Sequence, residues 1–123
     1  EGNAMSGEKT YRGGCHCGRV RFEVDLALKE VMECNCSICS KTGSLLTFVS
    51  PDRFRLRAGG EGLSDYQFKS KTIHHLFCPV CGIRSFARGK GADGSEMVAI
   101  NVRCLEDVDP SALTRRAFDG RSL

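Results

Sequence analysis

The sequence predicts an all-β domain of short strands, and three observations carry that prediction. One stretch alternates polar and apolar residues with period two, short apolar runs recur between turn signals, and eight cysteines supply organising points that are not hydrophobic. At 123 residues the chain has the size of one domain with a modest core. Fourteen glycines, no tryptophan and few aromatic residues fit a loop-rich scaffold.

The clearest strand is Arg19–Val24, where R-V-R-F-E-V puts Val20, Phe22 and Val24 on one face. Further runs read the same way: Val31–Cys34, Leu45–Val49, Phe54–Ala58, Ser64–Phe68, Ile73–Phe77, Ile83–Phe86 and Met97–Asn101. Turn signals at Pro51-Asp52, Gly59-Gly60 and Ala92-Asp93-Gly94 separate them, and a spacing of roughly 8–12 residues between short strands indicates sheet throughout. Near the end, Asp109-Pro110-Ser111-Ala112-Leu113 offers a capping residue followed by proline at the first helical position, so one short C-terminal helical turn is expected. With no internal repeat, low-complexity segment or linker, residues 11–123 read as a single domain. Residues 1–10 are expected to be a cloning remnant and flexible N-terminus.

The formal charge of +3 is spread along the chain in short clusters such as Arg53–Arg57 and Arg115–Arg116, well short of a nucleic-acid footprint. No apolar leader is visible, and no stretch approaches the roughly 20 apolar residues of a membrane span. The expected compartment is therefore the cytoplasm, with no membrane partner, and there thiols stay reduced. Oligomeric state is not legible.

Reduced thiols in clusters point to metal. The clusters are Cys15-His16-Cys17, then Cys34-Asn35-Cys36-Ser37-Ile38-Cys39, then Cys78-Pro79-Val80-Cys81. Close spacing lets several thiolates from one turn converge on one ion, which suits the tetrahedral demand of Zn²⁺. A closed structural zinc takes four ligands and a catalytic zinc keeps three plus an open position, so seven clustered cysteines divide as four plus three. Spacing leaves two groupings open. Cys36 and Cys39 with Cys78 and Cys81 would make a ribbon-like site, leaving Cys15, Cys17 and Cys34. Alternatively Cys34, Cys36 and Cys39 form the three-thiolate site, and Cys15 and Cys17 join Cys78 and Cys81. The second is the more economical, because three neighbouring thiolates on one loop face an outside ligand.

Together, Gly13-Gly14-Cys15-His16-Cys17-Gly18-Arg19-Val20-Arg21-Phe22, the middle cluster continuing through Ser40-Lys41, and Phe77-Cys78-Pro79-Val80-Cys81-Gly82 resemble the glutathione-dependent formaldehyde-activating enzyme family, whose relatives include centromere protein V. The resemblance runs from about Tyr11 to Leu105. It implies a zinc-stabilised β-tent of short antiparallel strands carrying two zinc ions. Cys15, Cys17, Cys78 and Cys81 would hold the structural one, and Cys34, Cys36 and Cys39 the catalytic one. The implied reaction adds glutathione to formaldehyde or a related small aldehyde, giving S-(hydroxymethyl)glutathione, a carbon–sulfur lyase-type step.

Zinc carrying three thiolates is a poor activator of water but a good acceptor of a fourth sulfur, and the thiolate is the form that attacks a carbonyl carbon. Lys41 is a candidate contact for a substrate carboxylate. His16 is placed to hydrogen-bond a ligand sulfur or to face solvent. His74 and His75 lie on one strand and face opposite sides, so at most one approaches the metal region. Cys104 stands alone and reads as a packed core or surface thiol, whereas Arg84 and Arg88 read as a solvated strand face that is also placed to attract an anionic substrate. A nucleoside deaminase is excluded, because its H-x-E and P-C-x-x-C elements are absent. The alternative to an enzyme is a non-catalytic zinc scaffold or interaction module.

Overall fold

Alternation in R-F-E-V-D-L turns Phe22, Val24 and Leu26 inward, and strand β2 (Arg21–Leu26) forms on that pattern. The computed structural model describes residues 8–68, 73–91 and 93–120. β2 pairs antiparallel with β1 (Lys9–Gly14) on one side and β5 (Phe54–Ala58) on the other, giving a three-stranded sheet. β1 begins two residues before the expected domain start at Tyr11, because its Lys9 and Thr10 register against Leu26 and Asp25. Arg55 donates to both carboxylate oxygens of Asp25, at 2.9 and 3.0 Å, and Arg57 pairs with Glu23 and Arg53 with Glu8, each at 2.8 Å. The basic run on β5 is thus matched by acids beside it.

The second sheet contains β3 (Glu30–Cys34), β4 (Leu46–Val49), β6 (Ser64–Tyr66), β7 (His74–Phe77), β8 (Phe86–Lys90), β9 (Glu96–Asn101) and β10 (Thr114–Phe118). Their spatial order is β10-β3-β4-β9-β8-β7-β6. All pairings are antiparallel except β10 on β3, which is parallel and carries ion pairs from Arg115 to Glu33 and Arg116 to Glu30, both at 3.2 Å. β1 and β10 escape sequence reading because K-T-Y-R-G-G and T-R-R-A-F lack an apolar period; their partners hold them in register.

The inner faces of the two sheets meet in a core of Val20, Phe22 and Val24 against Val31, Phe86, Val98 and Ile100. Phe22, Phe54 and Phe86 form an aromatic cluster with ring centroids 4.7 to 6.3 Å apart. Burying each such side chain contributes roughly 1.5–3 kcal/mol. The expected helical turn is present at Pro110–Ala112, where the Asp109 carboxylate accepts from the Ser111 N–H at 3.0 Å.

One expected strand is displaced. Ile83–Phe86 is extended only from Phe86, because the preceding residues close a tight turn: the Cys78 N–H donates to the Ile83 carbonyl at 3.1 Å and the Gly82 N–H to the Cys78 carbonyl at 2.8 Å. Those backbone groups are satisfied locally, so the ladder to β9 starts later. Among the described residues, no helix is long and apolar enough to cross a membrane.

Candidate functional site

The first cysteine cluster joins two turns distant in sequence. Cys15 and Cys17 lie in the β1–β2 connection, where the Cys15 N–H donates to the Val20 carbonyl at 3.2 Å and the Val20 N–H returns a bond to Cys15 Sγ at 3.3 Å. Gly18, at φ 85°, supplies the left-handed step that tightens this loop. Cys78 and Cys81 flank the turn after β7, and the Val80 N–H points at Cys78 Sγ, 3.4 Å away. Cys17 Sγ lies 3.6 Å from both Cys15 Sγ and Cys78 Sγ. All four sulfurs fall within 4.8 Å of one another. Four sulfurs at about 2.3 Å from a tetrahedral zinc would be about 3.8 Å apart, so the donor set fits that ion.

The thiols also push one another's acidities apart. Backbone N–H groups of Cys17 and Ile83 pull the Cys81 thiol down to about 6. The Arg19 N–H pulls Cys17 down as well, but desolvation and the thiols of Cys78, Cys15 and Cys81 outweigh it and raise Cys17 to about 11. Packed thiols cannot all ionise alone, and a divalent cation replaces the protons they retain.

The second cluster is built on one loop. Cys34 ends β3, Cys36 follows in the turn, and Cys39 opens the short helix α1 (Cys39–Thr42), which Gly43 terminates at φ 69°. The N–H of Cys36 faces Cys34 Sγ at 3.4 Å and that of Cys39 faces Cys36 Sγ at 3.5 Å. These three sulfurs also lie within 4.8 Å of one another. Burial, reinforced by the neighbouring Cys36, pushes the Cys39 thiol up to about 12. The C-terminal strand closes one side: the Asn35 N–H donates to the Phe118 carbonyl at 3.2 Å, and its amide to Asp119 at 2.9 Å. Gly120 then packs so tightly that a Cβ there would sit 2.5 Å from Cys34 Sγ.

The three-cysteine cluster opens into a cleft of about 600 Å³ on the outer face of the larger sheet. Leu46, Phe48, Met97 and Phe118 are among its apolar walls, and Ser37, His75 and Arg84 bring polar atoms. Arg84 donates to His75 Nδ1 at 3.0 Å, which leaves that ring neutral with its proton on Nε2. Burial, then the facing Arg84 charge, hold His75 below the usual imidazole range. Arg84 is itself anchored, since its carbonyl accepts from the Asn101 amide at 3.0 Å. Arg88 and Lys90 also line the cleft, but the Arg88 guanidinium lies over the Phe54 and Phe86 rings at 5.3 and 5.4 Å, turned toward the core.

The second of the two cysteine groupings is therefore the one the fold brings together. Lys41 is exposed on α1, outside the lining of the cleft, and His16 is exposed between its two cysteines. His74 and His75 do face opposite ways: His74 pairs with Asp65 at 2.7 Å, while His75 is buried at the cleft. Cys104 is a partly buried thiol near the Arg84 carbonyl, outside both clusters. Sequence reading missed Gly120 entirely, for no local signal links it to Cys34.

The sequence pattern described as "Glutathione-dependent formaldehyde-activating enzyme" matches residues 10–118. A crystal structure of a Rhodobacter sphaeroides protein is similar to this chain at a TM-score of 0.74 and 32% identity, covering 85% of this chain and 99% of that one. Both cysteine clusters lie inside the span matched by the family pattern, and each can hold a metal ion, zinc being compatible. With fold, clusters and sequence pattern in agreement over nearly the whole chain, the protein belongs to the glutathione-dependent formaldehyde-activating enzyme family.

Proposed function

We propose that this chain is a zinc-dependent carbon–sulfur lyase-type enzyme that joins a thiol such as glutathione to formaldehyde or a related small aldehyde, as S-(hydroxymethyl)glutathione synthase does. The observation that carries the reading is the contrast between the clusters: Cys15, Cys17, Cys78 and Cys81 make a full tetrahedral set, whereas Cys34, Cys36 and Cys39 leave one side facing a cleft. In this reading each cluster holds one zinc, structural in the first and catalytic in the second, within a single domain working in a reducing cytoplasm. When bound at the open cluster, zinc supplies a positive centre that favours the thiolate form of an incoming thiol.

The chain's own residues do the rest. Cys34, Cys36 and Cys39 hold the reacting centre at the wall of the cleft, and Cys36 and Cys39 present backbone N–H groups to neighbouring sulfurs, which steadies their negative charge. Arg84, steadied by His75 and by its pinned carbonyl, places a cation beside the sulfurs, where it attracts an anionic thiol. Lys41, on the exposed side of α1, is left for a carboxylate reaching beyond the cleft. The step is balanced without a redox partner: the sulfur attacks the carbonyl carbon, the C–S bond forms, the C=O π pair moves to oxygen, and the thiol's proton ends there.

The test is zinc content together with calorimetric glutathione binding, on wild type and on a Cys36→Ser, Cys39→Ser variant. Two zinc ions per chain, and binding that vanishes with one zinc in the variant, are expected. One firmly held zinc and no thiol binding in either protein would make this a zinc scaffold and end the enzymatic reading.

A further inference from the structure

An antiparallel sheet with one covered face ordinarily alternates apolar-in with polar-out. The larger sheet departs from this. Its inner face carries Val31, Val98 and Ile100 into the core, yet the opposite face presents Met32, Leu46, Phe48, Ile73, Met97 and Phe118 around the three-cysteine cluster. Phe48 is 43% exposed, Ile73 45% and Phe118 41%, so large apolar surface stands in water at the cleft. A cleft of about 600 Å³ lies in the range of roughly 300–1,000 Å³ that houses drug-sized ligands, far more than formaldehyde needs.

Glutathione does not match this wall. Its carboxylates, ammonium and amides would be left without partners against Leu46, Phe48 and Met97, at the cost of desolvating each. Among the described residues the polar side chains of the lining are Ser37, within the cysteine loop, His75 and Arg84, together with Arg88, whose guanidinium lies over Phe54 and Phe86, and Lys90, at the end of β8 in register with Glu96. One anionic group beside Arg84 and an apolar body along the strands is the charge and polarity pattern that this lining complements. We infer that the apolar face holds the substituent of the aldehyde, so that the substrate is an aldehyde with an aryl or medium-chain alkyl body. Glutathione's polar ends stay toward the open mouth, and the product is the corresponding hemithioacetal, R–S–CH(OH)–R′, with atoms balanced as in the step above. This rests on the thiol-to-aldehyde reading and narrows its electrophile.

S-alkylglutathiones imitate that product and need no turnover. Titrating the zinc-loaded protein with S-methylglutathione and S-hexylglutathione measures what the chain adds. A fully buried methylene is worth about fourfold in affinity, so five methylenes in a partly open cleft should tighten binding at least tenfold. Phe48→Ser, at an exposed position that leaves the core intact, should remove most of that gain. Equal affinity for the two ligands overturns this inference and leaves the thiol reading standing. No binding of either ligand, or of glutathione, overturns both. Sedimentation at the same concentrations covers the remaining occupant: a dimer that S-hexylglutathione fails to dissociate would mean that a second copy covers the apolar face, and would also overturn the inference.

Discussion

Replacing Gly120 with alanine tests how the C-terminal strand completes the three-cysteine cluster. The added Cβ would lie 2.5 Å from Cys34 Sγ and 3.1 Å from the Cys36 Cβ, whereas comfortable carbon contacts are about 3.5–4.0 Å. The strand cannot easily retreat, because Asn35 holds Phe118 and Asp119, and Glu33 and Glu30 hold Arg115 and Arg116. The sulfur must therefore move by about an ångström, away from the position it shares with Cys36 and Cys39. Overpacking of this kind costs about 1–3 kcal/mol, which in a binding constant is roughly 5-fold to 150-fold. That loss should fall on one metal site. Zinc release to a competing chelator, followed after zinc loading, should show one ion leaving at markedly lower chelator in Gly120→Ala while the other, at Cys15, Cys17, Cys78 and Cys81, is unchanged. Gly62→Ala is the matched control, since a Cβ at that position would have nothing within 4 Å. Release curves for Gly120→Ala that superimpose on wild type would refute the packing argument.

Two further outcomes are expected. Phe22→Ala removes a ring that is 1% exposed and packed against Phe54 at 5.4 Å, and should cost about 3–5 kcal/mol in denaturant unfolding of the zinc-loaded protein; a loss under about 1 kcal/mol would mean that the two sheets do not depend on this cluster. His75, buried and facing Arg84, should titrate below the usual 6.5, since burial and the Arg84 charge outweigh the opposing pull of the Asp65 carboxylate on the other side of the strand. Because the unfolded chain then binds that proton more readily, the His75 contribution to stability is complete above about pH 6.5 and erodes as the pH falls below it; a ring titration by NMR at or above 6.5 would contradict the buried, Arg84-facing geometry.

Much of the molecule was legible because its signals are local. R-V-R-F-E-V needs only its own period to turn Val20, Phe22 and Val24 inward, and all three are buried. Asp109 and Pro110 specify their turn within three residues. The spacing in C-x-C-x-x-C brings Cys34, Cys36 and Cys39 together on one loop and one turn of helix, whatever the rest of the chain does. Where local signals conflicted, reading failed: Ile83 and Arg84 look like strand, but the Cys78 N–H takes the Ile83 carbonyl and the Asn101 side chain takes that of Arg84, so neither carbonyl is left for a ladder.

The sequence alone therefore determined the sheet-rich class, the inward faces of its strongest strands and the existence of metal-ready cysteine clusters, since each depends on neighbours a few residues apart. Only the tertiary structure decided that Cys17 meets Cys78 across 61 positions, that Gly120 seals Cys34, and that the outer face of the larger sheet forms an apolar cleft around the open cluster. Those depend on strand order, and the Gly120 contact in particular on the parallel return of β10 to β3. Pairing between distant strands is fixed by the summed packing of both sheets, a quantity that no local pattern of residues encodes.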